Sequence, residues 1–212
     1  MKSAVGVQHP GKIVLEDPHP KKSALERHRG WINLAMWSFI FATVIFNGFS
    51  REKPLIYGLE EITGFILIAV ATMGTLWCGS YLFGRKSKQL CQDGPYSVCR
   101  NPLYLFSGLG GLGVVIITNR LILVIVFLVV FCVNYFLVVR SEEKRLLFLF
   151  GTEYQNYRAR VPRLIPRFRN YRTSAKLEVD PRRQLLGIVK SMRFFGMAFA
   201  MNLIEVLKGF YL

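Results

Sequence analysis

The sequence predicts an all-α, polytopic membrane protein. It has four transmembrane helices, with a fifth left open, and a cytoplasmic N-terminus. A cytoplasmic C-terminal tail ends in an amphipathic helix. Three observations carry this prediction. First, 52% of the 212 residues are apolar and the mean hydropathy is +0.32. Second, the apolar residues are gathered into uncharged blocks of membrane length. Third, 28 Lys and Arg against 13 Asp and Glu give a net charge of +15, and the cations collect in alternate loops. A soluble domain that basic would suggest nucleic acid, and a disordered basic tail would be poor in apolar residues. The blocks exclude both.

Residues 1–30 are polar, hold Pro10, Pro18, Pro20 and all three His, and read as a cytoplasmic arm rather than a cleavable leader. Uncharged runs follow at 31–49, 62–84, 103–118 and 121–139. At about 1.5 Å per residue, the 19 residues of the first run rise roughly 28 Å, near the hydrocarbon thickness of a bilayer. The third run, at 16 residues, is a little short. Only Asn119 and Arg120 part the third and fourth runs, which implies a tight antiparallel hairpin. With the N-terminus inside, segments 1–30, 85–100 and 140–183 place 22 Lys and Arg on the cytoplasmic side, and the outer loops carry 3. The core is expected over 31–183, its tail covering the cytoplasmic ends of the helices or binding lipid headgroups. Residues 184–212 form a separate C-terminal element. In it Lys190, Arg193, Glu205 and Lys208 share one helical sector around the apolar stretch 194–204. That fits an amphipathic surface helix; as a fifth span, 11 uncharged residues are few.

Chemistry-bearing residues are scarce in the membrane body. No His follows His28, and no Cys-x-x-Cys pair suggests a metal site. Gly108-Leu-Gly-Gly-Leu-Gly113 spells a glycine fingerprint but lies inside an apolar run, so close helix packing is its reading. Two segments stand out. In Asp93-Gly-Pro-Tyr-Ser-Val-Cys-Arg-Asn-Pro-Leu-Tyr104, Gly94-Pro95 signals a turn. Asn101-Pro102 signals a helix start with Asn as cap, and Arg100 beside it favours an anion. In Arg140-Ser-Glu-Glu-Lys-Arg145 the fourth helix runs on into the cytoplasm, toward a C-cap at Gly151. Adjacent acids there break the positive-inside pattern, and residues 100° apart cannot both face one pocket.

Together these residues resemble the isoprenylcysteine carboxyl methyltransferase family and its phospholipid methyltransferase relatives. The match runs through Gly94-Pro95-Tyr96, Arg100-Asn101-Pro102-Leu103-Tyr104 and Glu142-Glu143. It continues over Phe150-Gly151, Glu153-Tyr154, Tyr157, Arg160-Val161-Pro162 and Pro166. The resemblance implies a helical-bundle, S-adenosylmethionine-dependent methyltransferase that releases S-adenosylhomocysteine and uses no metal. It implies a cofactor pocket lined by Lys88, Gln89, Leu90, Cys91, Tyr96, Asn101, Pro102, Leu103, Tyr104 and Glu142. Arg100, Arg140 and Glu143 complete the set as candidate catalytic residues, with the acceptor's proton either leaving to water or passing to Glu143. Where the isoprenylcysteine enzymes carry an Arg one turn before the cofactor Glu, this chain has Val138. The acceptor thus stays open among an isoprenylcysteine-type carboxylate, a lipid amine and a small hydrophobic thiol or acid. The expected partners are membrane lipids and a lipophilic or lipidated substrate, not nucleic acid. Two rivals remain: an NADPH-dependent reductase like the sterol reductases, with Arg158, Arg160 and Arg163 for a phosphate, and a membrane adaptor acting through its basic tail.

Overall fold

A computed structural model describes residues 24–46, 55–82, 89–173 and 181–211. Every regular element among them is helical: α1 (Ala24–Phe46), α2 (Leu55–Leu82), α3 (Pro95–Val98), α4 (Pro102–Ile116), α5 (Leu121–Arg160), a 3-10 turn (Phe168–Asn170), α6 (Pro181–Ser191) and α7 (Arg193–Tyr211). Two helices, Gly58–Leu82 and Leu121–Arg160, are long and apolar enough to cross a membrane. The other two expected spans form shorter apolar helices, Gly30–Phe46 and Pro102–Ile116. Outward-facing Ile66, Met73, Ile125, Val129, Val133 and Phe136 leave an apolar surface on α2 and α5 that water would not tolerate.

Glycine sets the closest approach in the bundle. α2 and α4 form its most extensive helix interface. A Cβ on Gly113 would lie 2.6 Å from the Gly64 carbonyl, and one on Gly64 would lie 2.7 Å from the Gly113 carbonyl. Gly108 and Gly111, on the same helix, make room for the rings of Phe131 and Phe127 of α5. The glycine cluster therefore does what small residues do in membrane bundles, letting backbones and rings approach where a methyl would clash.

The α4–α5 hairpin is as tight as the sequence requires. Asn119 adopts φ 54°, a conformation Asn tolerates better than most residues, and its N–H donates to the Ile116 carbonyl at 2.9 Å. α5 is uncharged from 121 to 139 and then continues beyond the apolar run. At Gly151 the chain turns through φ 46°, ψ −119°, and a second helical stretch follows directly. The expected C-cap is thus a kink between two helices, because residues 152–160 resume the helix instead of leaving it.

The C-terminal region holds two helices where one was expected. It forms two helices parted at Met192, beginning at Pro181 rather than 184. α7 is not laid on the surface: Phe194, Ala198 and Met201 are buried with Ile40 and Val44 of α1 and Val114 of α4. Lys208 donates to the Val44 carbonyl near the end of α1. One face of α7 supplies apolar side chains every three to four residues, enough to dock it against α1 and α4.

Candidate functional site

Four segments converge at one end of the bundle. Residues 89–93 lead into Gly94, whose φ of 58° suits glycine, and a Cβ there would meet the Tyr81 ring at 2.4 Å. The turn α3 follows, then α4, and α5 passes alongside beyond its apolar run. Asn101 occupies the N-cap position of α4 but does not cap it. Its Nδ2 instead donates to the Arg163 carbonyl at 3.2 Å, tying the tail to the loop. Pro102, the first residue of α4, has no N–H to satisfy.

The tail folds back as a strap over this loop. Arg100 N–H donates to Pro162 O (2.8 Å), Arg167 N–H to Val98 O (2.9 Å) and Gly94 N–H to Arg172 O (2.7 Å). Cys99 Sγ lies 3.2 Å from Leu164 O, and Tyr81 Oη 2.8 Å from Thr173 Oγ1. Beneath the strap, Tyr157 Oη donates to the Tyr96 carbonyl at 2.8 Å. Burial raises the phenol pKa of Tyr96 well above its ordinary 10.0, and burial does the same at Tyr157.

Glu143 is the electrostatic centre of the strap. Its carboxylate takes Arg100 Nη1 at 2.8 Å on one side, and Arg163 Nη2 at 2.5 Å with Nε at 3.1 Å on the other. The Arg163 pair is bidentate, the strongest geometry available to these groups. Glu143 raises the Arg163 pKa through that hydrogen bond.

Glu142 points elsewhere, as adjacent helical residues must, and lines a cavity of about 860 Å³ including its open mouth. Gln89, Leu90, Cys91, Tyr96, Arg100, Asn101, Leu103 and Tyr104 line it with Glu142. Nine of the thirteen residues singled out in the sequence thus share one cavity. Lys88 lies outside the described residues. Pro102 is buried at the start of α4 and does not line the cavity. Glu143 is held in its two-Arg clasp, away from the lining. Arg140 is exposed, its guanidinium 6.0 Å from the Phe136 ring. The remaining lining comes from Leu82, Arg145, Leu146, Leu149, Phe150 and Tyr157. Of these, Leu146, Leu149 and Phe150 follow Glu142 at i+4, i+7 and i+8, a periodicity that could have identified them. Arg145 Nη1 sits 3.5 Å from Glu142 Oε1, a half-buried pair of little energetic weight at that distance.

The lining suits a ligand with both apolar and charged parts. It offers aromatic and aliphatic walls, one carboxylate, two guanidinium groups, and a buried Tyr96 hydroxyl without a hydrogen-bond partner. Among the described residues no three His, Cys, Asp or Glu come together as a metal site. A second cavity, of about 1700 Å³ including its open side, lies between α1, α4, α5 and α7, and Tyr104 lines both. Val138, the position at which the isoprenylcysteine enzymes carry an Arg, lines the second.

Comparison with known proteins identifies the family. Residues 59–153 match the phospholipid methyltransferase family. The chain is 31% identical over 189 residues to the nickel-cobalt-cadmium resistance protein NccN of Alcaligenes xylosoxydans xylosoxydans, covering 89% of this chain and 88% of that one. It is 32% identical over 174 residues to the cobalt-zinc-cadmium resistance protein CzcN of Cupriavidus metallidurans, covering 82% of this chain and 80% of that one. No solved structure matches significantly. With its apolar helices, its converging motifs and full-length relatives at this identity, the chain belongs to the phospholipid methyltransferase family of membrane proteins.

Proposed function

We propose that the chain is an S-adenosylmethionine-dependent methyltransferase of the membrane, acting on a lipophilic acceptor at the cytoplasmic interface. Its four apolar runs cross the bilayer with the N-terminus inside. One observation carries the reading: residues from four separated segments, which the resemblance marks as cofactor-lining, meet around a single cavity that contains an orphaned buried hydroxyl. Glu142, Tyr96, Asn101 and the 89–91 backbone would hold S-adenosylmethionine, which when bound supplies an electrophilic methyl on a sulfonium. The chain itself contributes position. Leu103, Tyr104, Leu146 and Phe150 make a wall that keeps water from the reacting end, and holding the partners in near-attack geometry can be worth an effective molarity of roughly 10⁵–10⁸ M. Glu143 is committed to Arg100 and Arg163, so its role in this reading is to fix the strap rather than to take a proton. The relatives' names speak of metal resistance. In this reading the link runs through a methylated membrane constituent, since the cavity offers a single carboxylate and a single thiol.

The test is a titration of purified protein in neutral detergent with S-adenosylhomocysteine and, in parallel, NADPH. Binding of the first alone, weakened at least tenfold by Glu142→Gln with the melting temperature unchanged, is expected. Folded protein that binds neither, or binds NADPH alone, overturns the reading.

A further inference from the structure

The strap carries a strip of side chains that neither the clasp nor the cavity employs. Between Glu153 and Glu178 the sequence holds no acid, and six Arg fall between 158 and 172. Two are engaged, Arg163 by Glu143 and Arg160 by Gln92. Arg158, Arg167, Arg169 and Arg172 are exposed, and among the described residues no carboxylate pairs with them. Arg167 and Arg172 tie the strap down through backbone groups, which leaves their guanidinium groups out of that task. Interleaved with these cations, Ile165 is 78% exposed, Phe168 72% and Tyr171 47%. Bare cations suit water, and bare apolar groups suit hydrocarbon. Alternation of the two suits the layer between, where rings and aliphatic chains dip inward and guanidinium groups meet phosphates.

The strap's position agrees with that layer. The Tyr171 ring lies 6.1 Å from the Trp77 ring of α2, and Thr173 meets Tyr81 one turn further along the same helix. Trp77 stands seven residues before the end of the uncharged run 62–84, about 10 Å along the axis. The strap therefore reaches down the flank of a membrane-length helix instead of standing off its end. We propose that the strip 164–172 is a docking surface for the anionic lipid headgroups of the adjacent leaflet. Ile165 and Phe168 enter the interface, and Arg167, Arg169 and Arg172 meet the negative charge. The proposal rests on the bilayer placement of the methyltransferase reading and not on its chemistry. Charge complementarity selects this occupant, since each Lys or Arg near an anionic leaflet strengthens attachment about fivefold. The leaflet is also already within reach through α2, whereas an acidic protein would have to be recruited. Docking there adds a second hold, beside the Glu143 clasp, on the segment tied to the walls of the cofactor cavity.

The experiment puts one reporter on the strip, by Phe168→Trp in the full-length chain carrying Trp31→Phe, Trp37→Phe and Trp77→Phe. The protein is reconstituted in nanodiscs of phosphatidylcholine brominated on its acyl chains near the headgroup, alone or with about 30% phosphatidylglycerol. Quenching of the reporter is expected to be about twofold stronger with phosphatidylglycerol, and about 0.5 M salt should remove most of the difference. Arg167→Gln, Arg169→Gln and Arg172→Gln together should abolish it, with the melting temperature in detergent unchanged. Tryptic cleavage of the strap in the unmutated protein, slower in discs containing phosphatidylglycerol, is the readout that needs no substitution. Equal quenching and equal cleavage in the two lipids, or a difference that survives the three substitutions, overturns the proposal. Poly-glutamate that shields the reporter from acrylamide where phosphatidylglycerol does not assigns the strip to an acidic protein partner and overturns it as well. A companion protein carrying only Trp37→Phe and Trp77→Phe keeps Trp31, 71% exposed on α1, as its reporter. Trp31 left unquenched in both lipids refutes the bilayer placement itself.

Discussion

Replacing Glu143 by Gln should loosen the strap and destabilise the molecule more than any other single change at the clasp. The carboxyl side chain is 9% exposed, Arg100 is 12% exposed and Arg163 is 46% exposed. Removing the acid leaves Arg100 charged, nearly buried and without its counter-ion, the situation that costs about 3–5 kcal/mol in buried pairs. The Arg163 arm is half in water and adds little, because solvent screens it to roughly 0–1 kcal/mol. Glu143→Gln should therefore cost about 3 kcal/mol. For a chain of this size that is a fall of about 6–12 °C in melting temperature. Arg163→Ala, which leaves the Arg100 pair intact, should cost about 1 kcal/mol. The strap provides a second readout, since Arg163, Arg167, Arg169 and Arg172 are tryptic sites along it. Limited trypsinolysis in detergent should cut there faster in Glu143→Gln than in the unmutated protein. Equal melting temperatures and equal cleavage in Glu143→Gln and the parent would refute the argument that this clasp holds the tail down.

Two further outcomes follow from the geometry. Gly113→Ala should cost about 1–3 kcal/mol, because the new methyl meets the Gly64 carbonyl at 2.6 Å and backbone cannot step aside. Gly196→Ala, with nothing within 4 Å, is the control and should be neutral or slightly stabilising in the same thermal melt. Stability should also fall in alkali. Tyr96 and Tyr157 have folded-state pKa values raised above 10.0, so below about pH 10 both states keep the protons and the contribution is whole. As pH climbs from there toward the raised values the unfolded chain loses protons first, and stability drops. Melting temperatures between pH 8 and 11 read this, and Tyr157→Phe should flatten the slope.

Much of the site was legible because its residues sit in short segments whose spacing has a local meaning. Gly94-Pro95 marks a turn, Asn101-Pro102 a helix start, and Glu142-Glu143 an acid pair that must split between two directions. The split occurred as helical geometry demands: Glu142 lines the cavity and Glu143 enters the clasp. What could not be read was the partner each residue finds across the chain. Asn101 looks like a cap, yet its amide is taken by a carbonyl 62 residues away, and Arg163 looked like a phosphate ligand but closes on Glu143. The same limit hid α7. Its charges share a sector, which suggests a surface helix, but Phe194, Ala198 and Met201 share a narrower apolar stripe that α1 and α4 cover. A stripe of three residues is visible in a sequence only once its docking surface is known.

Strap and cavity are built from the same residues, and that couples them. Arg100 lines the cavity and holds Glu143; Tyr157 lines the cavity and holds the Tyr96 carbonyl; Asn101 lines the cavity and holds Arg163. A ligand that orders these side chains must favour the closed strap, and by linkage a weakened strap must lower ligand affinity by the factor through which the ligand protects it. Arg163→Ala isolates this coupling, since Arg163 does not line the cavity and its loss costs little stability. S-adenosylhomocysteine should slow tryptic cleavage of the strap in the parent protein, and Arg163→Ala should weaken its binding about threefold to tenfold, some 0.7–1.4 kcal/mol. If the ligand protects the strap but Arg163→Ala binds it as tightly as the parent, the protection is steric cover by the ligand. The strap is then a brace for the fold rather than part of the binding site.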